Sequence, residues 1–313
     1  MKALIKVIIF FTMIVLLSGG IFMKSKSENS IYYVNGQEGQ EEEVEQEEEE
    51  GNIKKDDIMD KEEKESEIEE IRGEEIKKDN EIEYININPE EVYIPILMYH
   101  SISDSDSGNN LLVPVNQFTE QMNWLKEEGF ETMLMGDVIK SLKSGEVPRR
   151  PVAITFDDGY ADNYVDAYKI LNDKNMKATF FIITDNTDAD SGYMNSDMLK
   201  EMISNGMGIE NHTSKHLELD KLSRDDKEDI INEGKDFFKE TLGLDSKYLS
   251  YPVGRYDDET IQIARELGLE GAVTTASGLA NIANSEFELK RIRIGPMEIE
   301  NFKSIFEDFM IEN

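Results

Sequence analysis

From about residue 92 onward the chain alternates short apolar, β-branched runs with stretches whose apolar residues recur every three or four positions. The runs Val92 to Tyr99, Val152 to Phe156, Ala178 to Ile183, Gly208 to Asn211, Tyr248 to Tyr251 and Ala272 to Thr275 predict strands. Between them the 3.6-residue pattern predicts helices over Asn116 to Glu128, Tyr164 to Lys174, Ser196 to Ser204, Asp225 to Thr241 and Asp257 to Leu267. A closing helix is predicted over Asn301 to Phe309. Gly129 ends the first of these helices, and Pro252 follows the strand at Tyr248 to Tyr251. Apolar strands interleaved with helices imply an α/β fold with strands buried on both faces. In such folds the polar residues just beyond strand C-termini are the usual site residues.

The pattern before residue 92 is different. Lys2 and Lys6 precede an uncharged run from Val7 to Met23, rich in Ile, Leu, Val and Phe. Its apolar residues favour insertion into a bilayer by roughly 0.3 to 0.6 kcal/mol each. Residues 1–27 are therefore expected to be a signal-anchor or a signal peptide. The run lacks an Ala-x-Ala-like cleavage site and the cysteine of a bacterial lipoprotein, which favours an uncleaved membrane anchor. Residues 28–91 are Glu-rich, with Glu41 to Glu43 and Glu47 to Glu50 as the densest blocks, and predict a disordered spacer or a solvated charged helix. Residues 92–313, about 220 in number, suffice for one domain with a sizeable core. A polar domain behind such a start is expected outside the cytoplasm, held at the cell membrane of a bacterium, or secreted if the segment is cleaved.

Composition then narrows the chemistry. The formal net charge of −34 argues against nucleic-acid binding. With no cysteine, disulfides and thiolate ligands are excluded, so a metal would be held by histidine and carboxylate.

The three histidines are the main clue to function, because each sits at or just past a predicted strand end: His100 after Ile96 to Tyr99, and His212 and His216 after Gly208 to Asn211. A His-x-x-x-His spacing puts both imidazoles on one side of a helical turn, although surface or core histidines match it often by chance. Asp157-Asp158-Gly159 follows the apolar strand at Val152 to Phe156. Two adjacent carboxylates there are either a solvated turn or a buried pair that needs a cation. Two imidazoles and one carboxylate with water in the remaining position is a known catalytic zinc arrangement. Coordination takes the pKa of water from 15.7 to about 7, roughly 12 kcal/mol toward making the nucleophile. Asp157 is placed to act as general base, and a protonated His100 to donate to a leaving nitrogen. These are roles for metal-dependent hydrolysis of an amide or ester.

Over approximately Tyr93 to Phe309 the chain resembles the polysaccharide deacetylases of carbohydrate esterase family 4, the NodB homology domain. Thr155-Phe156-Asp157-Asp158-Gly159 is similar to the family's first motif, and Asn211-His212-Thr213-Ser214-Lys215-His216 to its second. The resemblance implies a distorted seven-stranded (β/α) barrel, with Asp157 as catalytic base and Asp158, His212 and His216 as metal ligands. Tyr251-Pro252-Val253-Gly254 is similar to the third motif, which makes the Val253 backbone N–H an oxyanion donor. Zn²⁺ suits this ligand set best, with Co²⁺ or Ni²⁺ compatible. The implied reaction is removal of N-acetyl groups from GlcNAc residues of a polysaccharide, either an exopolysaccharide or peptidoglycan.

The chain departs from the family at three places. Ser250 stands where the third motif commonly has an arginine that orients the base. The fourth motif's Asp and Trp are not recognisable around Gly271 to Gly278, and the fifth motif's Leu-x-His has its nearest counterpart in Leu289 to Ile294, without a histidine. Similarity to the branch acting on poly-β-1,6-N-acetylglucosamine assigns the general-acid role to His100 instead. The departures also leave open a catalytically weak or silent carbohydrate-binding protein, and a saccharide O-acetyl esterase would use the same residues. Trp124, the single tryptophan, lies in a predicted amphipathic helix and reads as core, so no aromatic sugar subsite is evident.

Overall fold

The computed structural model describes residues 82–105 and 108–307, all within one compact unit spanning Glu70–Asn313. Its strands are β1 (Tyr84–Asn86), β2 (Ile96–Tyr99), β3 (Ser101–Ile102), β4 (Leu112–Val113), β5 (Glu131–Met133), β6 (Glu146–Pro148), β7 (Pro151–Phe156), β8 (Thr179–Ile182), β9 (Gly208–Asn211), β10 (Tyr248–Ser250), β11 (Gly271–Ser277) and β12 (Leu289–Arg293). All pairings in the main sheet are parallel, in the order β2-β12-β11-β10-β9-β8-β7, and β7 pairs back to β2, so the sheet closes. The result is a distorted seven-stranded parallel barrel with flanking helices.

One source of the distortion is visible in the register. β7 gives Ala153 through Phe156 to β2 on one edge. Its other edge is shared, with Pro151 to Ala153 pairing β5 and Thr155 and Phe156 pairing β8. β5 is thus an extra strand wedged at the N-terminal end of the barrel.

Side-chain alternation divides the core into two layers. Ile96, Ala153, Phe181, Val273 and Leu289 belong to one buried cluster, whereas their neighbours Leu97, Ile154, Phe180 and Ile182 pack with helix residues such as Phe118, Leu125, Leu171 and Leu199 in another. Both faces of β2, β7 and β8 are buried, which is why these strands read as unbroken apolar runs. Phe156 stacks on Phe180 at 4.6 Å between centroids, and each fully buried phenylalanine contributes about 1.5–3 kcal/mol.

The helices close the outside. Val115–Glu127 buries Phe118, Gln121, Met122 and Leu125, and its Trp124 packs on Phe130, Phe302 and Phe306, joining it to the last helix, Ile299–Ser304. Trp124 is part of the hydrophobic packing, as its sequence setting suggests. At the N-terminal mouth, β1 pairs antiparallel with β6, Ile94 bridges Ala280, and Asn281 Nδ2 donates to the carbonyls of Glu90 (3.0 Å) and Val92 (2.8 Å). β1 falls inside the span 28–91 expected to be a spacer. Residues 28–81 of that span, and the targeting segment at 1–27, lie outside the described residues.

The expected membrane anchor requires correction. No helix among the described residues is long and apolar enough to cross a membrane. The run Val7 to Met23 that motivated the anchor lies outside them, so membrane attachment finds no support in the structure.

Candidate metal centre

Two strands, β7 and β9, deliver the cluster from their C-terminal ends. β7 runs through Ala153 and Thr155 on the barrel's inner face, and the same alternation carries Asp157 inward just past the strand. The chain then turns sharply: Asp158 has φ 74° and Gly159 φ 82°, and this pair of left-handed residues swings the second carboxylate out of the strand's alternation. The positive φ of Gly159 is what favours glycine there, and a β-carbon would also lie a tight 3.1 Å from Ile182 Cδ1.

His212 follows β9 and His216 lies four residues on. The segment between them is not the helical turn that the spacing suggests. Thr213 (φ 66°) and His216 (φ 50°) adopt left-handed backbone, and a compact loop folds the second imidazole back toward the first. Asn211, fully buried, holds that loop by accepting from Thr213 N at 2.7 Å, and Thr213 Oγ1 accepts from His216 N at 3.1 Å. Ser214 N donates to the Ile230 carbonyl at 3.0 Å, fastening the loop to the helix Arg224–Phe237. Non-glycine residues with positive φ cost of order 1–3 kcal/mol each and persist only where the surroundings enforce them.

The outcome is convergence. His212 Nε2 lies 3.3 Å and His216 Nε2 3.4 Å from the same Asp158 oxygen, Oδ1, and the three donor atoms fall within 4.8 Å of one another. Tetrahedral ligands at about 2.1 Å from an ion stand about 3.4 Å apart, so the spacing fits a first-row divalent cation. Two further observations fit. Asp158 Oδ1 is buried without a hydrogen-bond partner, an expensive state for a carboxylate unless a cation faces it. His212 Nδ1 sits 2.7 Å from the Ser250 carbonyl, which only accepts, so the proton is on Nδ1 and the Nε2 lone pair points into the cluster. Burial would lift the Asp158 carboxyl, but electrostatic attraction to His212 outweighs it and lowers the carboxyl overall. His212 is correspondingly raised, Asp158 outweighing desolvation, whereas His216 is lowered by burial and by His212. A divalent-metal-binding His/His/Asp site is thus present; its ligand atoms do not distinguish Zn²⁺ from Co²⁺ or Ni²⁺.

Asp157 lies beside the cluster in a network that sequence reasoning missed. Arg291, on β12 and 1 % exposed, grips it with two parallel bonds, Nη1 to Oδ1 at 2.8 Å and Nη2 to Oδ2 at 2.6 Å. The remaining donors go to Thr155 Oγ1 (3.1 Å), Ser250 Oγ (3.1 Å) and the Thr274 carbonyl (2.9 Å). Burial alone would raise the Asp157 pKa, but the Arg291 charge and its hydrogen bonds overcome that and hold the carboxyl far below the usual range. Ser250, where the family has its orienting arginine, also donates to Asp157 Oδ2 at 3.2 Å. Arg291 stands at the third place of Leu289-Lys290-Arg291, where the Leu-x-His motif has its histidine. The guanidinium therefore reaches the Asp157 carboxylate from a different strand.

His100, directly after β2, has Nδ1 buried without a hydrogen-bond partner. Burial lowers its pKa, while Asp157 and Asp158 pull it upward, so the ring lies within electrostatic reach of both carboxylates. Its carbonyl is held by Asn163 Nδ2 at 2.7 Å, and Ser101 and Ile102 are tied to Asp162 at 2.5 Å and 3.2 Å. Val253 lies in the short turn Pro252–Gly254 with φ 53° and is 58 % exposed. The close approach of Gly254 to Thr275, whose Oγ1 would meet a β-carbon at 1.9 Å, pins that turn against β11.

Comparison with known proteins agrees with this geometry. Residues 144–272 match the model of the polysaccharide deacetylase family. The chain is 39% identical over 204 residues to YxkH of Bacillus subtilis strain 168, a polysaccharide deacetylase by its description, a match spanning 65% of this chain and 72% of that one. It is 26% identical over 224 residues to a poly-beta-1,6-N-acetyl-D-glucosamine N-deacetylase of Staphylococcus aureus, covering 66% of this chain and 76% of the relative. Among solved structures it is similar to the deacetylase PplD of Streptococcus pyogenes in complex with acetate, with TM-score 0.66 and 36% identity over 69% of this chain and 99% of that one.

Proposed function

Because the chain belongs to the polysaccharide deacetylase family, we propose that it removes N-acetyl groups from the GlcNAc residues of an extracellular or cell-wall polysaccharide by metal-dependent hydrolysis. The observation that carries this reading is the meeting of His212 and His216 Nε2 on one unpartnered Asp158 oxygen. The S. aureus relative is an N-deacetylase by name, and the S. pyogenes structure contains acetate, the product of such a reaction.

A divalent cation held there, best suited to zinc, supplies Lewis-acid activation of water and of the amide carbonyl. The chain's own residues do the rest. Asp157, kept ionised by Arg291, accepts the proton of the attacking water. Its partner's charge also prevents two bare carboxylates from standing side by side. His100 donates to the leaving amine nitrogen, a role that guanidinium at position 291 could not take, because it does not release its proton in proteins. The Val253 N–H donates to the oxygen of the tetrahedral intermediate, its position held by the strained turn at 252–254.

The test is acetate release by the full chain from β-1,6- and β-1,4-linked GlcNAc oligomers. Activity should vanish on chelation and return with Zn²⁺; full activity after verified metal removal would overturn the reading. In the same assay His100→Ala should lower turnover about 10²- to 10⁴-fold while zinc binding is retained.

A further inference from the structure

We propose that the stacked rings of Tyr160 and Tyr193 form the sugar platform of this cleft, an inference that rests on the deacetylase reading above. A cleft of about 350 Å³ is lined by Asp158 and His216 of the metal centre and by these two tyrosines, with Asp185 and Asn186 among its polar groups. The rings stack at 5.3 Å between centroids and 24° between planes. Both are only partly buried, whereas the aromatic residues that stabilise the barrel, Tyr99, Phe156 and Phe180, are 0% exposed. A half-exposed aromatic pair beside a catalytic cluster serves recognition better than packing.

The pair is rigidly tied to the ligands. Tyr160 and Tyr193 form an antiparallel bridge, flanked by Ala161 N to Gly192 O and Met194 N to Gly159 O, each 2.9 Å. The same turn that aims Asp158 at the histidines therefore also places Tyr160, two residues further along the chain. The platform and the metal ligand are thus fixed by one stretch of backbone.

The chemistry selects the ligand class. A β-linked GlcNAc ring carries its hydroxyls equatorially, so its faces present polarised C–H groups, which complement the negative face of an aromatic ring. Its edges present hydroxyls, for which Asp185 and Asn186 offer acceptors and a donor. Binding of one pyranose on the platform fixes where the attached acetamide lies relative to Asp158, so binding at a distance from the bond to be cleaved contributes to positioning it.

The experiment uses the full chain loaded with Zn²⁺ and tetramers of β-1,6- and β-1,4-linked GlcNAc as probes. Affinity is read by calorimetry, and KM and kcat by acetate release. Tyr193→Leu, which fills the volume without a π face, should weaken binding of the preferred tetramer roughly three- to tenfold and raise KM by the same factor. Tyr193→Phe and Tyr193→Trp, which keep a ring, should stay near wild type. Unchanged affinity in Tyr193→Leu overturns the platform, as does a Tyr193→Phe variant as impaired as Tyr193→Leu, because the hydroxyl and not the ring would then be responsible. Should the wild-type chain bind tetramers but release no acetate, the deacetylase reading falls, while the calorimetric comparison still decides the platform.

Discussion

At the scale of single residues, the most consequential side chain is Arg291. A guanidinium buried to 1 % exposure is tolerated because every direction it points in meets an acceptor, with Asp157 neutralising its charge. Removing one member of such a pair leaves the other charged and unpaired in the interior. Arg291→Met should therefore destabilise the protein by about 3–5 kcal/mol, and adding Asp157→Asn should recover part of that loss. Urea titrations of the two variants check this; a single variant as stable as wild type would show that Asp157 is not held as described. The pair's stabilisation is present above the ordinary aspartate pKa near 3.8 and is lost as pH falls, because the folded carboxyl is depressed. The metal ligands were legible in the sequence because so few histidines exist and each follows a strand. Arg291 was not, since the motif places its arginine at position 250, whereas a long side chain on β12 can reach the same carboxylate.

At the scale of elements, the signal for β12 was nevertheless there. Leu289, Arg291 and Arg293 alternate with Lys290 and Ile292, so a strand puts Leu289 and Arg291 on one face, and both are buried. Its charges disguised it, because an inward arginine breaks the rule that interior positions are apolar. The strands β7, β8 and β9 and the helix Ser196–Ser204 match their predicted spans closely, whereas the three-residue β5 was too short to stand out. Two predicted helices, over Tyr164 to Lys174 and Asp225 to Thr241, each contain a π-type stretch, Asn163–Tyr168 and Phe238–Leu242, which periodicity does not separate from α-helix.

β9 also carries a titratable fastening. Glu210 Oε2 accepts from Ser246 Oγ at 2.8 Å, Lys247 N at 2.9 Å and Tyr248 N at 3.0 Å, so one side chain ties β9 to the start of β10. Burial outweighs these bonds and pushes its pKa from 4.5 up to about 7. The folded protein thus holds a proton that the unfolded chain has released. This contribution to stability is complete below about pH 4.5 and is lost as pH rises toward 7, by up to about 3 kcal/mol. Glu210→Gln, which retains an acceptor but not the charge, should gain stability relative to wild type at pH 8 and not at pH 4.5. Equal differences at both pH values in chemical denaturation would refute the assignment.

At the scale of the whole molecule, the barrel has two dissimilar ends. The mouth that holds the His/His/Asp cluster gathers residues that follow β2, β7, β9 and β10, while residues 84–94 strap the opposite mouth through β1, the Ile94–Ala280 bridge and the Asn281 amide. Val92 and Ile94 are buried to 1% and 0% exposure in the inner core. A chain beginning at residue 95 should be less stable than one beginning at residue 82 by roughly 3–6 kcal/mol, the burial of two aliphatic side chains. That is a large share of the 5–15 kcal/mol typical of a domain. Urea midpoints of the two truncated chains decide it, and equal midpoints would mean that the strap is ornamental.

The strap also determines the direction from which the polypeptide reaches its barrel. Ile82 and Glu83 lie beside Glu131 and Arg150, at the starts of β5 and β7, which is the pole facing away from the histidines. A dye attached at residue 82 itself would therefore sit at the far pole, well away from the histidine-bearing mouth.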